Sequence, residues 1–76
     1  MNNTRREALE SIKDRIEEIR DELDTLREEE QDYFDNMPEN MRGGDKGQSA
    51  EEAVSNLEDA VSALEEAASA IESAAE

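Results

Sequence analysis

Residues 53–75 read AVSNLED-AVSALEE-AASAIES-AA, one seven-residue unit repeated three times. The larger apolar residues of this stretch, with two alanines, recur at alternating steps of three and four: Val54, Leu57, Val61, Leu64, Ala68, Ile71 and Ala75. This spacing places them on one side of an α-helix, at positions a and d of a heptad abcdefg. Such a seam is typical of a helix that packs lengthwise on another helix. The repeat therefore predicts a long helix with a helical partner.

An alanine precedes each a residue of the repeat, and further alanines widen the same strip. Small residues allow a second backbone to approach closely, so we predict that this strip is a surface for self-association. The candidate residues are Ala53, Ala60, Ala63, Ala67, Ala70 and Ala74. Alanine is also the best helix former, which accounts for the strip equally well without any partner.

The first half of the chain carries the same spacing. Its seam runs through Leu9, Ile12, Ile16, Ile19, Leu23 and Leu26 and continues to Glu30, Tyr33 and Met37. Thr4 and Glu7 match a capping box, and Pro38 disfavours helical backbone at the residue before it. Ser49 and Glu52 match a second capping box. We predict one domain with a helix over 4–37, a connector over 38–48 and a helix over 49–76.

An antiparallel pairing of the two helices satisfies their charges and their seams in one register. It places Arg27 opposite Glu58, Arg20 opposite Glu65 and Lys13 opposite Glu72. The same register forms core layers of Leu26 with Val61, Leu23 with Leu64, Ile19 with Ala68 and Ile16 with Ile71. It also places Gly43 and Gly44 where the chain must fold back, in agreement with the turn chemistry of the connector.

The predicted fold class is therefore all-α, an antiparallel two-helix coiled-coil hairpin. Burial of each Leu, Ile or Val yields roughly 1.5–3 kcal/mol, and ordering each residue costs roughly 1.5 kcal/mol. A hairpin with so few apolar residues is marginal by that comparison. We therefore expect it to dimerise into a four-helix bundle or to bind a protein partner.

The composition argues against catalysis. The 76 residues include 23 acidic and 8 basic ones, for a net charge of -15, and no Cys, His or Trp. Carboxylates are abundant, but on exposed helix faces nothing raises their pKa toward the range of a general acid. We predict no enzyme activity, no catalytic residue, no cofactor and no dedicated metal site.

The charge also restricts the partners. A phosphate backbone would be repelled, so direct binding of nucleic acid is disfavoured. No apolar run approaches the roughly 20 residues that span a bilayer, so we expect no membrane partner and a cytoplasmic location.

The regular acidic rows suit the opposite role, in which the protein imitates the charge spacing of nucleic acid and binds a basic surface of another protein. The candidate partner-binding carboxylates on the second helix are Glu51, Glu58, Asp59, Glu65, Glu66 and Glu72. The leading functional prediction is thus a non-enzymatic protein-binding module, in its specific form a phage-type inhibitor that presents acidic helix faces to a basic, nucleic-acid-binding surface of a protein target as a DNA mimic. Two alternatives stay open: a structural coiled-coil module that only oligomerises, and acidic faces that serve solubility alone.

A second candidate surface surrounds the turn. Tyr33, Phe34, Met37, Met41 and Arg42 combine aromatic, methionine and arginine side chains, a composition that is typical of interface hot spots. The alternative is a small cap that closes the open end of the hairpin.

The segment DYFDNMPEN, residues 32–40, followed by AEEAVSNLEDAVSALEEA, residues 50–67, resembles small acidic helical proteins of phages and Gram-positive bacteria. Most of these have no known function. The resemblance covers Asp32 to the C-terminus and implies the cytoplasm of a bacterial or phage-infected cell. In that setting small acidic proteins often inhibit host enzymes, including those that handle nucleic acid. It implies no catalytic residue.

Overall fold

The computed structural model describes residues 1–76, which form three helices and no strand. Helix α1 spans Asn3–Asp35, α2 spans Glu39–Arg42 and α3 spans Asp45–Ala74. The long helices α1 and α3 pack against each other lengthwise, and the molecule measures 59 × 14 × 12 Å. The short helix α2 lies in the turn and packs on α3. The predicted all-α helical hairpin is confirmed.

Helix α1 begins one residue earlier than predicted and ends two residues earlier. Asn2 is its N-cap, and the Asn2 side-chain oxygen accepts a hydrogen bond of 2.8 Å from the Arg5 backbone N–H. The predicted cap at Thr4 is therefore wrong. Asn is at least as good a cap as Thr, and at this position it adds a residue to the helix. The other end lies at Asp35 because Pro38 disfavours helical backbone at Met37.

The connector is shorter than the predicted 38–48. Its middle is the unpredicted helix α2, and α3 already begins at Asp45, with Gly44 as its N-cap. The predicted cap at Ser49 is wrong, since Ser49 lies inside α3. Asp45 stands in the first turn of α3, where a negative charge is favoured by the helix dipole. The fold-back at Gly43 and Gly44 agrees with the prediction.

Gly47 is a point of close contact between helices rather than a turn residue. It is buried in the first turns of α3. A Cβ atom built on it would overlap the carbonyl group of Arg42 and lie 2.7 Å from the Arg42 Cα. Only a glycine lets the end of α2 approach α3 this closely.

The core is a single row along α3. Its buried apolar residues are Ala50, Val54, Val61 and Ala68 of α3, together with Met37 from the turn. No residue of α1 is buried. The a residues of α1, Leu9, Ile16 and Leu23, are only half-buried.

Along α1 the a and e positions are covered more than the d positions, whereas the sequence predicted that a and d are covered. The d residues Ile12, Ile19, Leu26 and Tyr33 are 37, 48, 53 and 51% exposed. The predicted layers that place Leu26 and Ile19 in the core are therefore wrong.

The e positions of α1 are covered instead of the d positions. The four half-buried residues at e are Lys13, Arg20, Arg27 and Phe34. Long charged side chains can cover apolar surface with their aliphatic stems while the charged head stays in water.

Replacement of Gly47 by alanine tests the contact between α2 and α3. In an ordinary helix Gly→Ala stabilises by up to about 1 kcal/mol. Here we expect the free energy of unfolding to fall by about 1–3 kcal/mol, because the new methyl group forces the Arg42 carbonyl away. Urea denaturation followed by far-UV circular dichroism measures the change.

Gly43→Ala is the matched control, since a Cβ at Gly43 would have no atom within 4 Å and its φ is -83°. We expect it to be neutral or slightly stabilising. A Gly47→Ala protein as stable as the Gly43→Ala protein would show that α2 does not touch α3 here.

Candidate protein-binding surfaces

The hairpin has two different long flanks. Counting Leu9 of α1 and Val54 of α3 as a residues, the e residues of both helices border one side of the α1–α3 groove. Lys13 and Arg20 line this side together with Glu65, Ser69 and Glu72. We call it the ionic flank. Tyr33 lines the opposite side with Ser49 and Ala50. That side carries the d residues of α1 and the alanine strip, and we call it the apolar flank.

One of the three predicted ion pairs between the helices is formed on the ionic flank. Lys13 Nζ lies 3.5 Å from Glu72 Oε2 and 3.7 Å from Glu17 Oε1 of its own helix. The contact with Glu72 is one that the predicted antiparallel register requires.

The two arginines of the ionic flank bind carboxylates of their own helix instead. Arg20 Nη2 lies 2.8 Å from Asp21 Oδ1, and Arg27 Nε lies 2.9 Å from Asp24 Oδ1. The hydrogen bond with Asp21 and the charge of Asp21 raise the pKa of Arg20, and the charge of Glu65 adds to this. An arginine reaches an acid on its own helix without extending its side chain across the groove.

The same pattern holds at Arg27. Its hydrogen bond with Asp24 is the main cause that raises the pKa of Arg27, and the charges of Asp24, Glu28 and Glu58 add to it. Glu58 therefore acts on Arg27, and Glu65 on Arg20, through its charge alone. The two predicted ion pairs are not formed as direct contacts.

All six candidate carboxylates of α3 are exposed. Glu58, Glu65 and Glu72 occupy the e positions beside the cations of α1, whereas Asp59 and Glu66 occupy the f positions and point farther from that groove. Glu51 continues the e row toward the turn and borders a groove with Phe34 and Gln31. Asp59 and Glu66, together with Glu51 beside Phe34, are thus the members of the row that have no cation of α1 facing them.

The net charge per unit length is close to that of a nucleic-acid strand. A charge of -15 distributed along 59 Å is about one negative charge per 4 Å. A single DNA strand carries one charge per about 3.4 Å and the duplex one per about 1.7 Å.

The aromatic and methionine residues around the turn form a cap that closes the end of the hairpin. Met37 is buried and Phe34 is half-buried. The Arg42 side chain donates hydrogen bonds to the carbonyl oxygens of Asp35, at 2.6 Å, and Met37, at 3.1 Å. Its guanidinium carbon lies 6.0 Å from the centre of the Phe34 ring. Arg42 thereby satisfies the carbonyl of Asp35, which as the last residue of α1 has no partner within the helix, and the carbonyl of Met37 in the turn.

Two large apolar members of this predicted patch remain accessible, and Arg42 is exposed as well. Tyr33 is 51% and Met41 38% exposed. Tyr33 belongs to the row of exposed d residues on α1, so it joins the apolar flank rather than a separate tip site.

The apolar flank joins that row to the alanine strip of α3. Ala53, Ala60 and Ala67 are half-buried, and Ala63, Ala70 and Ala74 are exposed. The sequence interpretation missed the row on α1 as a surface, because a heptad pattern assigns d residues to the seam by default. The signal that could have found it is the run of long side chains at the e positions of α1.

No cluster of three or more Asp or Glu residues has a geometry that could hold a metal ion. No helix combines the length and the apolar character that are needed to cross a bilayer. Comparisons with protein-family models, with curated proteins and with solved structures found no match.

Replacement of Arg42 by lysine tests the cap. Lysine keeps the charge but cannot donate to two carbonyls from one planar fork or place a guanidinium over Phe34. We expect the free energy of unfolding to fall by about 1–2 kcal/mol, measured by urea denaturation. The control Arg15→Lys changes an exposed arginine of α1 in the same way and should be neutral. Equal stability of the two variants would contradict the capping role.

Proposed function

We propose that the protein is a non-enzymatic protein-binding module. In this proposal it presents acidic helix faces to a basic, nucleic-acid-binding surface of a protein target and inhibits that target as a DNA mimic. We place this activity in the cytoplasm of a bacterial or phage-infected cell, following the resemblance of residues 32–40 and 50–67 to small acidic proteins from those sources.

The observation that carries the proposal is the charge density along the hairpin, about one negative charge per 4 Å. A basic groove that binds single-stranded nucleic acid is built for a rod with about that density. Three cations of α1, Lys13, Arg20 and Arg27, lie beside the groove between the helices rather than on the outward acidic rows, whereas Arg15 is exposed.

Competition between the hairpin and DNA tests this function. The immobilised protein is exposed to a nuclease-treated bacterial lysate, and each captured protein is assayed with a fluorescent DNA oligonucleotide. We expect the hairpin to displace the oligonucleotide, and we expect its affinity to fall steeply with added salt, since the Debye length shrinks to about 8 Å at 0.15 M. Captured proteins that bind DNA and hairpin simultaneously would contradict the proposal.

Neutral variants locate the binding face. The double change Asp59→Asn and Glu66→Gln should weaken binding about 5- to 30-fold, as the loss of one to two kcal/mol of exposed ion pairs requires. The control Glu22→Gln and Glu29→Gln removes the same charge from exposed positions of α1 that border the apolar flank. Equal losses in the two double variants would show that only net charge matters.

A second candidate function is a structural module whose activity is helical self-association, with two hairpins forming a four-helix bundle. The row of half-exposed apolar residues on α1 favours it, because a soluble monomer rarely leaves such a stripe uncovered. Sedimentation at two salt concentrations tests it. We expect association to persist in high salt and Ala67→Arg to abolish it. A chain that stays monomeric throughout would exclude this function.

A further inference from the structure

We infer that the apolar flank binds a second copy of this chain through a two-fold axis parallel to the long axis of the hairpin. In this arrangement α1 of each copy lies on the alanine strip of its partner. The inference rests on the self-association proposed above, and it does not depend on the proposed acidic target.

The first support is the incomplete core of the single hairpin. Only six of 76 residues are buried, and no large side chain is fully buried. The d residues of α1, from Ile12 to Tyr33, are 37 to 53% exposed. These side chains have no second layer of helix to cover them.

The second support is the matching of large and small residues across the flank. The pair Lys13–Glu72 fixes which residues of α1 and α3 lie level. In that register Ile12, Ile19, Leu26 and Tyr33 lie level with Ala74, Ala67, Ala60 and Ala53, respectively. Both rows repeat every seven residues, so each bulky side chain has an alanine beside it along the whole flank.

This matching selects one two-fold axis. Rotation about the long axis exchanges the sides of the hairpin but keeps each residue at its level, so Ile19 of one copy meets Ala67 of the other. Rotation about the perpendicular axis in the interface would instead oppose α1 to α1 and α3 to α3. In that arrangement bulky residues of the two α1 helices meet, and they hold the two facing alanine strips too far apart to touch. Isologous contacts of the first kind are self-complementary.

The third support is charge. Beyond Lys46, every acidic residue of α3 lies at position e or f, away from the apolar flank. The outer rim of the flank on α3 is Asn56, Ala63 and Ala70, which are uncharged. Carboxylates at the edge of α1, such as Glu22 and Glu29, therefore meet no like charge on the partner's α3.

The fourth support is size. A face of 59 by 14 Å is about 800 Å² in projection. Each partner of a standard interface buries about 800 Å². The face is thus of the size that a standard interface requires.

Sedimentation equilibrium of the full chain and two lysine variants tests the surface. We expect the unaltered protein to be a dimer. Leu26→Lys should raise the dissociation constant about 100-fold or more, since the symmetry places the change twice in the interface. Lysine also lowers the net negative charge, so electrostatic repulsion cannot explain the loss. The control Ser62→Lys makes the same change in charge on the ionic flank, where Ser62 is exposed, and should leave the dimer intact. Far-UV circular dichroism checks that both variants are helical.

Cross-linking tests the axis. The chain contains no cysteine, so a single introduced cysteine reports one contact. We expect a mixture of Ile19→Cys and Ala67→Cys chains to form disulfide-linked heterodimers faster than either variant alone forms homodimers. Faster homodimers of Ile19→Cys would overturn the proposed axis.

The outcomes separate this inference from the proposed functions. A monomeric unaltered protein overturns both the self-association and this surface. A dimer that Leu26→Lys does not weaken overturns this surface and leaves self-association standing. The acidic target is judged by competition with DNA and is independent of either result.

Discussion

The fit of α1 onto a row of small buried side chains on α3 determines the rest of the molecule. Val54, Val61 and Ala68 offer a shallow surface, and α1 meets it with its a residues on one side and the stems of Lys13, Arg20 and Arg27 on the other. Relative to the predicted a/d packing, this arrangement corresponds to a rotation of α1 about its own axis. Cations enter the groove on the ionic flank, and the d residues turn outward on the apolar flank. Both candidate surfaces are consequences of that one rotation.

The sequence predicts the hairpin, its direction and its register well, because these depend on patterns that repeat along the whole chain. The pair Lys13–Glu72 and the fold-back at Gly43 and Gly44 agree with the expected register. The ends of the helices are less determined, since Asn2 and Thr4 are competing caps within three residues of each other. The packing role of Gly47 was not predictable, because it depends on contact with α2, a helix that the local pattern of the connector does not indicate.

The rotation of α1 could not be derived from the heptad notation. That notation assigns d to the buried seam and e to its exposed edge. Whether d or e is buried depends, however, on the size of the side chains on the partner helix. Ala68 leaves room for an arginine stem as readily as for an isoleucine. The exposed surface ion pairs are worth only about 0.3–0.5 kcal/mol each, so they favour a register without fixing the rotation. Packing against a further helix would bury the d residues, which is the geometry that the a/d pattern describes.

The two proposed surfaces are compatible, and dimerisation would strengthen the electrostatic one. Two copies joined through their apolar flanks carry twice the net charge along the same 59 Å, about one negative charge per 2 Å. The duplex carries one per about 1.7 Å. The ionic flanks would face outward on opposite sides of a bundle about 20 Å across, as expected for two layers of helices. The monomer has the charge density of a single strand and the proposed dimer would approach that of a duplex, so the proposed assembly and the proposed imitation of nucleic acid would reinforce each other.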